Sequence, residues 1–247
     1  MKIRRDSKFL ETNHYQTAGI ILMVACLQFI LAVMLAETQY KFYSTSLNTL
    51  SDLGAVAGYS AIIFNLSIVA LGIMGLVVVY LISKSGSCPL FSACLAVSSL
   101  AAVGVGLFPT YTGTPHLLFS GLVFLFASLA VIFSYRLGLN LPLVVLSLVL
   151  GLVSLLTLFS FLWMGMDSPL IHSLGVGGAE RLVAYPILGY LVGLGGYLTP
   201  GAGKGFLVTV HQGQHHHPGN ETHHQGHHPD IHIFNQNFFL VKAEYEG

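Results

Sequence analysis

Charged residues are scarce in this sequence. Asp, Glu, Lys and Arg make up 8% of its 247 residues, against about 25% in an average globular protein. Hydrophobic residues account for 54%, and the mean hydropathy is +0.74. The formal net charge of zero provides no basic field that would attract nucleic acid. The composition therefore predicts an integral membrane protein and argues against a nucleic-acid partner.

Cysteine is also rare, and its placement excludes two kinds of site. The three cysteines, Cys26, Cys88 and Cys94, lie in or beside apolar runs, where a thiol behaves as a small hydrophobic group. They show neither a disulfide framework nor the spacing of metal ligands.

What is present in quantity is apolar sequence, and it falls into six runs. Each run is close to the roughly 20 residues that a helix needs to cross a hydrocarbon core. The runs are 16–36, 58–83, 89–108, 115–135, 141–163 and 178–198. The first is too long for the apolar core of a signal peptide, which predicts a retained helix. We predict an all-α, polytopic integral membrane protein: a six-helix transmembrane bundle over 16–199, an N-terminal segment 1–15 and a His-rich C-terminal tail 200–247.

The short loops give an orientation, because Lys and Arg near helix ends are retained on the cytoplasmic side. One side holds Lys2, Arg4, Arg5, Lys8, Lys84, Arg136 and Lys204, whereas the other holds Lys41 and Arg181. We expect a multi-pass protein of the cell membrane with both termini cytoplasmic and the first loop outside.

A polar segment, 43–58, separates the first two apolar runs. Asn48, Ser51 and Asp52 stand at i, i+3 and i+4, so they would share one face of a helix. A carboxylate beside hydrocarbon costs about 2.5 to 3.5 kcal/mol, and Asp52 should therefore meet a partner or a water-filled cavity. Further polar residues belong to the same end of the bundle: Asn65, His116, His172, Glu180 and Arg181. We expect one polar cluster, in which Arg181 pairs with Asp52 or Glu180 and His116 donates to a carboxylate.

Two interpretations of this cluster involve no metal or ligand. It can be a hydrogen-bonded plug that sets helix register, without a reaction. It can also be a hydrolytic site, with His116 as general base, Asp52 orienting it, and Ser51 or a water as nucleophile. The sequence has no nucleophile-elbow motif for such a site.

The other interpretations involve a bound group. Asp52, His116, His172 and Glu180 are suitable zinc ligands, although no HExxH motif is present. Arg181 could hold a lipid headgroup or a small anion. His116 and His172 could ligate a haem, although both lie at the same membrane edge.

Several short motifs resemble a known six-helix family of bacteria and archaea. They are NTLSDLG at 48–54, Phe64 and Asn65, GVGLFP at 104–109, His116 after TYTGTP, and GAERLVAYP at 178–186. The family is the domain of unknown function 998 (DUF998), and the chain is also distantly similar to the Frag1/DRAM/Sfk1 membrane proteins. The resemblance covers about 16–198. It implies a compact bundle with its signature residues, Asn48, Asp52, Asn65, His116, Glu180 and Arg181, near one face, and it brings no established reaction.

The tail differs from the rest of the chain. Histidines crowd a background of Gly, Pro and Gln, a composition typical of disorder with affinity for zinc, copper or nickel. The possible divalent-metal ligands are His215, His216, His217, His223, His224, His227 and His228. A glycosylation sequon begins at Asn220, but it would be usable only if the tail were outside the cell.

Together these observations favour a non-catalytic membrane protein. We expect an accessory or scaffolding subunit with an outward-facing polar pocket that binds lipid, and with membrane lipids and other membrane-protein subunits as partners. The alternatives are a membrane-embedded hydrolase using Asp52 and His116, with or without a metal, and a small-solute transporter. A transporter would be expected to show inverted repeats, and the sequence contains no convincing repeat.

Overall fold

A computed structural model describes residues 3–55, 57–84 and 88–199, with side chains from residue 14 onward. Within these ranges the fold is all-helical and has no strand. The helices are α1 (Ile3–Gln39), α2 (Tyr59–Lys84), α3 (Pro89–Leu107), α4 (Thr114–Phe133), α5 (Leu141–Met164) and α6 (Pro169–Leu198). Each contains a stretch long and apolar enough to cross a membrane. The prediction of an all-α bundle with six spans is confirmed, and the protein is membrane-embedded.

The helices form a closed ring. Each packs on the next in sequence, and α6 returns to pack on α1, whereas α4 and α6 touch at few points across the ring. Glycines allow close approach where helices cross. A Cβ on Gly19 would lie 2.6 Å from the Gly195 carbonyl oxygen, and one on Gly72 would lie 2.5 Å from that of Ser99. Small residues at these positions let the backbones pack closely without large side chains between them.

Helix boundaries agree with local chemistry in one place and correct the prediction in another. Asn140 caps α5, because its side chain accepts a hydrogen bond from the Leu143 N–H at 3.2 Å. The sixth helix extends from Pro169 and so starts earlier than the predicted residue 178, but it consists of two helical segments that meet at a kink at Gly175. His172 lies in the first segment and therefore inside α6 and not before it. The non-helical backbone falls at Gly175, with φ 75° and ψ 167°, and Pro186 lies within the helix further on.

One end of the bundle gathers most of the polar residues singled out above. The first loop lies there with the 3₁₀ helix Ser51–Gly54, beside the 3₁₀ helix Thr110–Thr112 that joins α3 to α4. The α5–α6 junction is at the same end. We call it the loop end.

Candidate functional site

The first loop is organised by its own hydrogen bonds. The Asp52 carboxylate accepts from the Thr49 N–H at 2.8 Å, and the Thr49 hydroxyl accepts from the Asp52 N–H at 3.2 Å. This reciprocal pair is a capping box, with Asp in place of the usual Glu or Gln. The Asn48 side chain accepts from the Ser44 N–H at 3.0 Å. Asn48, Ser51 and Asp52 therefore do not line one helical face as predicted, because the only helix here is the short 3₁₀ helix Ser51–Gly54.

Arg181 holds this loop against α6. Its guanidinium donates to Glu37 at 2.7 Å and to the Tyr43 hydroxyl at 2.6 Å. It also donates to the backbone carbonyls of Thr45 at 3.0 Å, Asn48 at 3.2 Å and Gly177 at 2.9 Å. We call Glu37, Tyr43 and Arg181 the Arg181 cluster.

The ionic partner of Arg181 corrects the prediction. It is Glu37, in the last turn of α1, and not Asp52 or Glu180. The reason is geometric, since consecutive residues on a helix point in different directions and Arg181 cannot face the same way as Glu180. The sequence interpretation missed Glu37. The sequence contains a signal for it, because Glu37 is a carboxylate near the end of a span, at the same depth as the first loop.

Glycines let the loop lie directly on α6. The Gly177 N–H donates to the Ser46 carbonyl at 3.0 Å. A Cβ on Gly175 would collide with the Ser46 carbonyl, and one on Gly177 would collide with that of Asn48. Gly175 also has positive φ, which glycine adopts without steric cost.

Tyr43 links the Arg181 cluster to the capping box. Its hydroxyl donates to the Thr49 carbonyl at 3.0 Å and accepts from Arg181. Burial raises the pKa of Tyr43 to about 12, even though the neighbouring Arg181 acts in the opposite direction. The phenol therefore stays neutral and keeps the hydrogen that it donates.

Glu180 faces a different set of groups. Its carboxylate accepts hydrogen bonds from the Leu50 N–H and from the Ser51 hydroxyl. Ser51 is held from another side as well, because the Thr110 hydroxyl donates to the Ser51 carbonyl at 3.1 Å. Glu180 thus lies beneath the loop.

His116 is buried, with 7% of its surface exposed, and its Nδ1 lies 2.8 Å from the Phe108 carbonyl. A carbonyl can only accept, so Nδ1 carries the hydrogen and Nε2 of the neutral ring is an acceptor. The prediction that His116 donates to a carboxylate is wrong. In the first turn of α4, its ring meets the end of α3.

The remaining predicted residues have separate positions. Asn65 donates to the Gly54 carbonyl at 3.0 Å, which ties α2 to the 3₁₀ helix, and its buried Oδ1 has no partner within the described ranges. The His172 side chain is exposed. Asn48, Asp52, Asn65 and Arg181 hold the loop, whereas Ser51, His116 and Glu180 line a cavity.

That cavity lies between α4, α5 and α6 at the loop end and has a volume of about 250 Å³. We call it the lateral cavity. Its polar side chains are Thr49, Ser51, His116, Ser120, Thr157 and Glu180; the other lining residues are apolar or glycine. Leu117 of α4 and Leu162 of α5 line it and are 65% and 60% exposed, so it opens sideways between these helices.

A second, central cavity of about 100 Å³ lies inside the ring and is lined almost entirely by apolar side chains from α1, α2, α3, α4 and α6. It adjoins the lateral cavity, and Ser51, Ser120, Phe124 and Glu180 line both. Glu180, the carboxylate of both linings, therefore lies at their common boundary together with the hydroxyls of Ser51 and Ser120.

The side chains are not arranged as two of the chemical hypotheses require. Asp52 is engaged in the capping box and His116 on Phe108, so the hydrolytic arrangement with Asp52 orienting His116 is not made. The described part of the chain has no group of three or more His, Cys, Asp or Glu side chains able to hold a metal. Asp52, His116, His172 and Glu180 thus do not form the zinc site considered. The possible metal ligands of the tail and the sequon at Asn220 lie outside the described residues.

Comparison with known proteins gives one match. A family model described as Protein of unknown function (DUF998) matches residues 23–197, a range that reaches from α1 to the end of α6 and agrees with the resemblance in the motifs. No curated protein and no solved structure matches the chain.

Proposed function

This chain belongs to the family described as Protein of unknown function (DUF998), and from that premise we propose that it is a non-catalytic membrane protein whose lateral cavity binds an amphiphilic, lipid-like molecule. The observation that carries the proposal is the make-up of this cavity. Polar groups gather beneath the loop, apolar side chains form the walls, and the opening between Leu117 and Leu162 faces sideways.

The size of the cavity supports a ligand. Its volume of about 250 Å³ is close to the lower end of the roughly 300 to 1,000 Å³ that small-molecule pockets have. A lipid with its head beneath the loop and its chain between α4 and α5 would stay in contact with apolar surface along its length. This arrangement follows the usual pattern of ligand sites, which have apolar walls and a few polar groups that set orientation.

We further propose that the loop end faces the outside of the cell. The support is the distribution of Lys and Arg, which favours the opposite end as the cytoplasmic side. An accessory or scaffolding role in a larger membrane assembly stays a prediction from the sequence.

The test is to fill the cavity. Gly121 lines it, and a Cβ at this position would meet nothing within 4 Å, so Gly121→Phe can extend into the opening without a backbone clash. Gly189 on α6 also has open space around its Cβ but lines neither cavity, so Gly189→Phe is the matched control. Both changes replace a helical glycine with the same side chain.

The measurement is cross-linking of the full chain in bilayer nanodiscs by a photoactivatable long-chain lipid. We expect the peptides of α4 and α5 that line the cavity to be labelled in the wild type and in Gly189→Phe. This labelling should be lost in Gly121→Phe. Equal labelling of all three proteins would contradict the proposal.

A further inference from the structure

We propose that the lateral cavity selects an amphiphile with a protonated amine head and rejects one with an anionic head. This inference rests on the proposed function and adds the chemistry of the ligand. It follows from the acceptors to which the polar side chains of the cavity lining donate their hydrogens.

The hydroxyl groups on the helices that line the cavity already donate to the protein. Ser120 donates to the His116 carbonyl at 2.8 Å, and Thr157 donates to the Val153 carbonyl at 2.8 Å. A hydroxyl has one hydrogen and two lone pairs. Towards a ligand, Ser120 and Thr157 can therefore only accept.

The hydroxyls of the loop form a chain that ends on the carboxylate. Ser51 donates to Glu180 at 3.4 Å, and the hydroxyl oxygens of Thr49 and Ser51 are 3.2 Å apart. Because the hydrogen of Ser51 points to Glu180, the hydrogen between the two hydroxyls comes from Thr49. These groups, too, have only lone pairs left for a ligand.

The imidazole follows the same rule. His116 uses its Nδ1 hydrogen on Phe108, which leaves Nε2 of the neutral ring as an acceptor. With His116 neutral and Glu180 ionised, every polar side chain that lines the lateral cavity is an acceptor, and a ligand that fits must supply the donors.

Charge gives the second part of the inference. Glu180 is the carboxylate of the cavity, and no Lys or Arg is among the described residues that line either cavity. The neighbouring Arg181 is engaged with Glu37 on another face of α6. A partly buried carboxylate without a cation is unfavourable. An ammonium group would supply both the positive charge and up to three donors, whereas a carboxylate or phosphate head would meet a like charge and only acceptors.

The experiment compares heads on one chain length. Dodecylamine, dodecanol and dodecanoate are titrated separately against the full-length protein at neutral pH, and bound ligand is counted by native mass spectrometry. Binding that persists in Gly121→Phe is subtracted as non-specific. We expect the amine to bind about tenfold more tightly than the alcohol, because hydrogen bonds to charged groups are about twice as strong as neutral ones. Dodecanoate should bind most weakly of the three.

Two variants assign the preference to one carboxylate. Glu180→Gln keeps an oxygen that accepts from Leu50 and removes the charge, so it should weaken amine binding about tenfold and leave alcohol binding nearly unchanged. Asp52→Asn is the control, since Asp52 lies on the same loop but outside the cavity lining and Asn keeps an oxygen for the Thr49 N–H, and it should weaken amine binding far less than Glu180→Gln.

Each other outcome decides something. If dodecanoate binds as tightly as the amine, the head assignment is overturned while amphiphile binding stands. If no ligand binds above the Gly121→Phe background, the proposed function fails and this inference fails with it. If Asp52→Asn weakens amine binding as much as Glu180→Gln, the preference does not come from the cavity. Should Glu180→Gln not fold, the ranking of the three ligands on the wild type still decides.

Discussion

Glu180 and Arg181 are adjacent in sequence and opposite in charge, yet they lie in two regions of different character. Arg181 is 12% exposed in its side chain and has five protein acceptors within 3.2 Å. Glu180 accepts from two groups of the loop and faces a cavity whose described lining residues include no Lys or Arg. A region whose polar groups are satisfied by the protein holds structure, whereas a region with unused acceptors and free volume can hold a ligand.

The largest effect is expected on the Arg181 side. Arg181→Met leaves the Glu37 carboxylate and the loop carbonyls of Thr45 and Asn48 without their donor, and breaking a largely buried pair in this way costs about 3 to 5 kcal/mol. Thermal unfolding in detergent would measure the loss. Replacing Glu37 by Leu in the same protein should recover part of it, because the unpaired carboxylate is then gone. Glu180→Gln should cost much less, and an equal loss in both single variants would remove the distinction between the two regions.

Next in size is the contact between the loop and α6. Gly177→Ala places a Cβ against the Asn48 carbonyl, so the loop must move, at a cost of about 1 to 3 kcal/mol. Gly189→Ala, on the open face of α6, should instead be neutral or stabilising by about 0.5 to 1 kcal/mol through helix propensity. Proteolysis of the first loop, compared between the two variants, shows whether it has been released. Loops equally protected in both would mean that it does not lie on Gly177.

A smaller effect, of about 1 kcal/mol, is expected for Tyr43→Phe, which removes the hydroxyl between Arg181 and Thr49. Its pH dependence is more specific. The pKa of Tyr43 is raised from 10.0 to about 12 by burial, so its neutral form contributes stability below pH 10. That contribution is lost as pH rises from 10 to about 12, where the unfolded chain ionises before the folded one. The fall in Tm over this range should be smaller in Tyr43→Phe than in the wild type, and equal falls would show that Tyr43 does not hold its proton in this way.

Much of the fold could be predicted because a membrane span is a local property. Six apolar runs of sufficient length give six helices. In any up-and-down bundle the junctions alternate between the two ends, so the residues around every second junction lie at the same end. The start of α6 was the exception. The sequence predicts a start at residue 178, but a helical segment already begins at Pro169, and a kink at Gly175 joins it to the rest of α6.

The pairings within the site could not be predicted in the same way. The depth of a residue along a span follows from the sequence. The direction of its side chain around the helix depends on packing, and for this reason the sequence did not predict that Arg181 pairs with Glu37 instead of with Asp52. The partner of His116 is a backbone carbonyl, which any residue carries. The sequence does not mark Ser120 and Thr157 as site residues, because both lie within apolar helices. Nothing in the sequence indicates that a cavity separates α4 from α6 beside α5.

The most direct test of the difference between the two regions is the reactivity of a thiol in the lateral cavity. Ser120→Cys would be made in a protein whose native cysteines, Cys26, Cys88 and Cys94, have been replaced. Its reaction rates with a small cationic and a small anionic thiol reagent are each divided by the rates for a free thiol. The ionisation of the cysteine affects both reagents equally and cancels in their ratio. We predict a cationic preference of about tenfold that disappears when Glu180→Gln is added, because a cleft lined by one sign of charge concentrates the opposite sign. A thiol that does not react, or an anionic preference, would contradict the account.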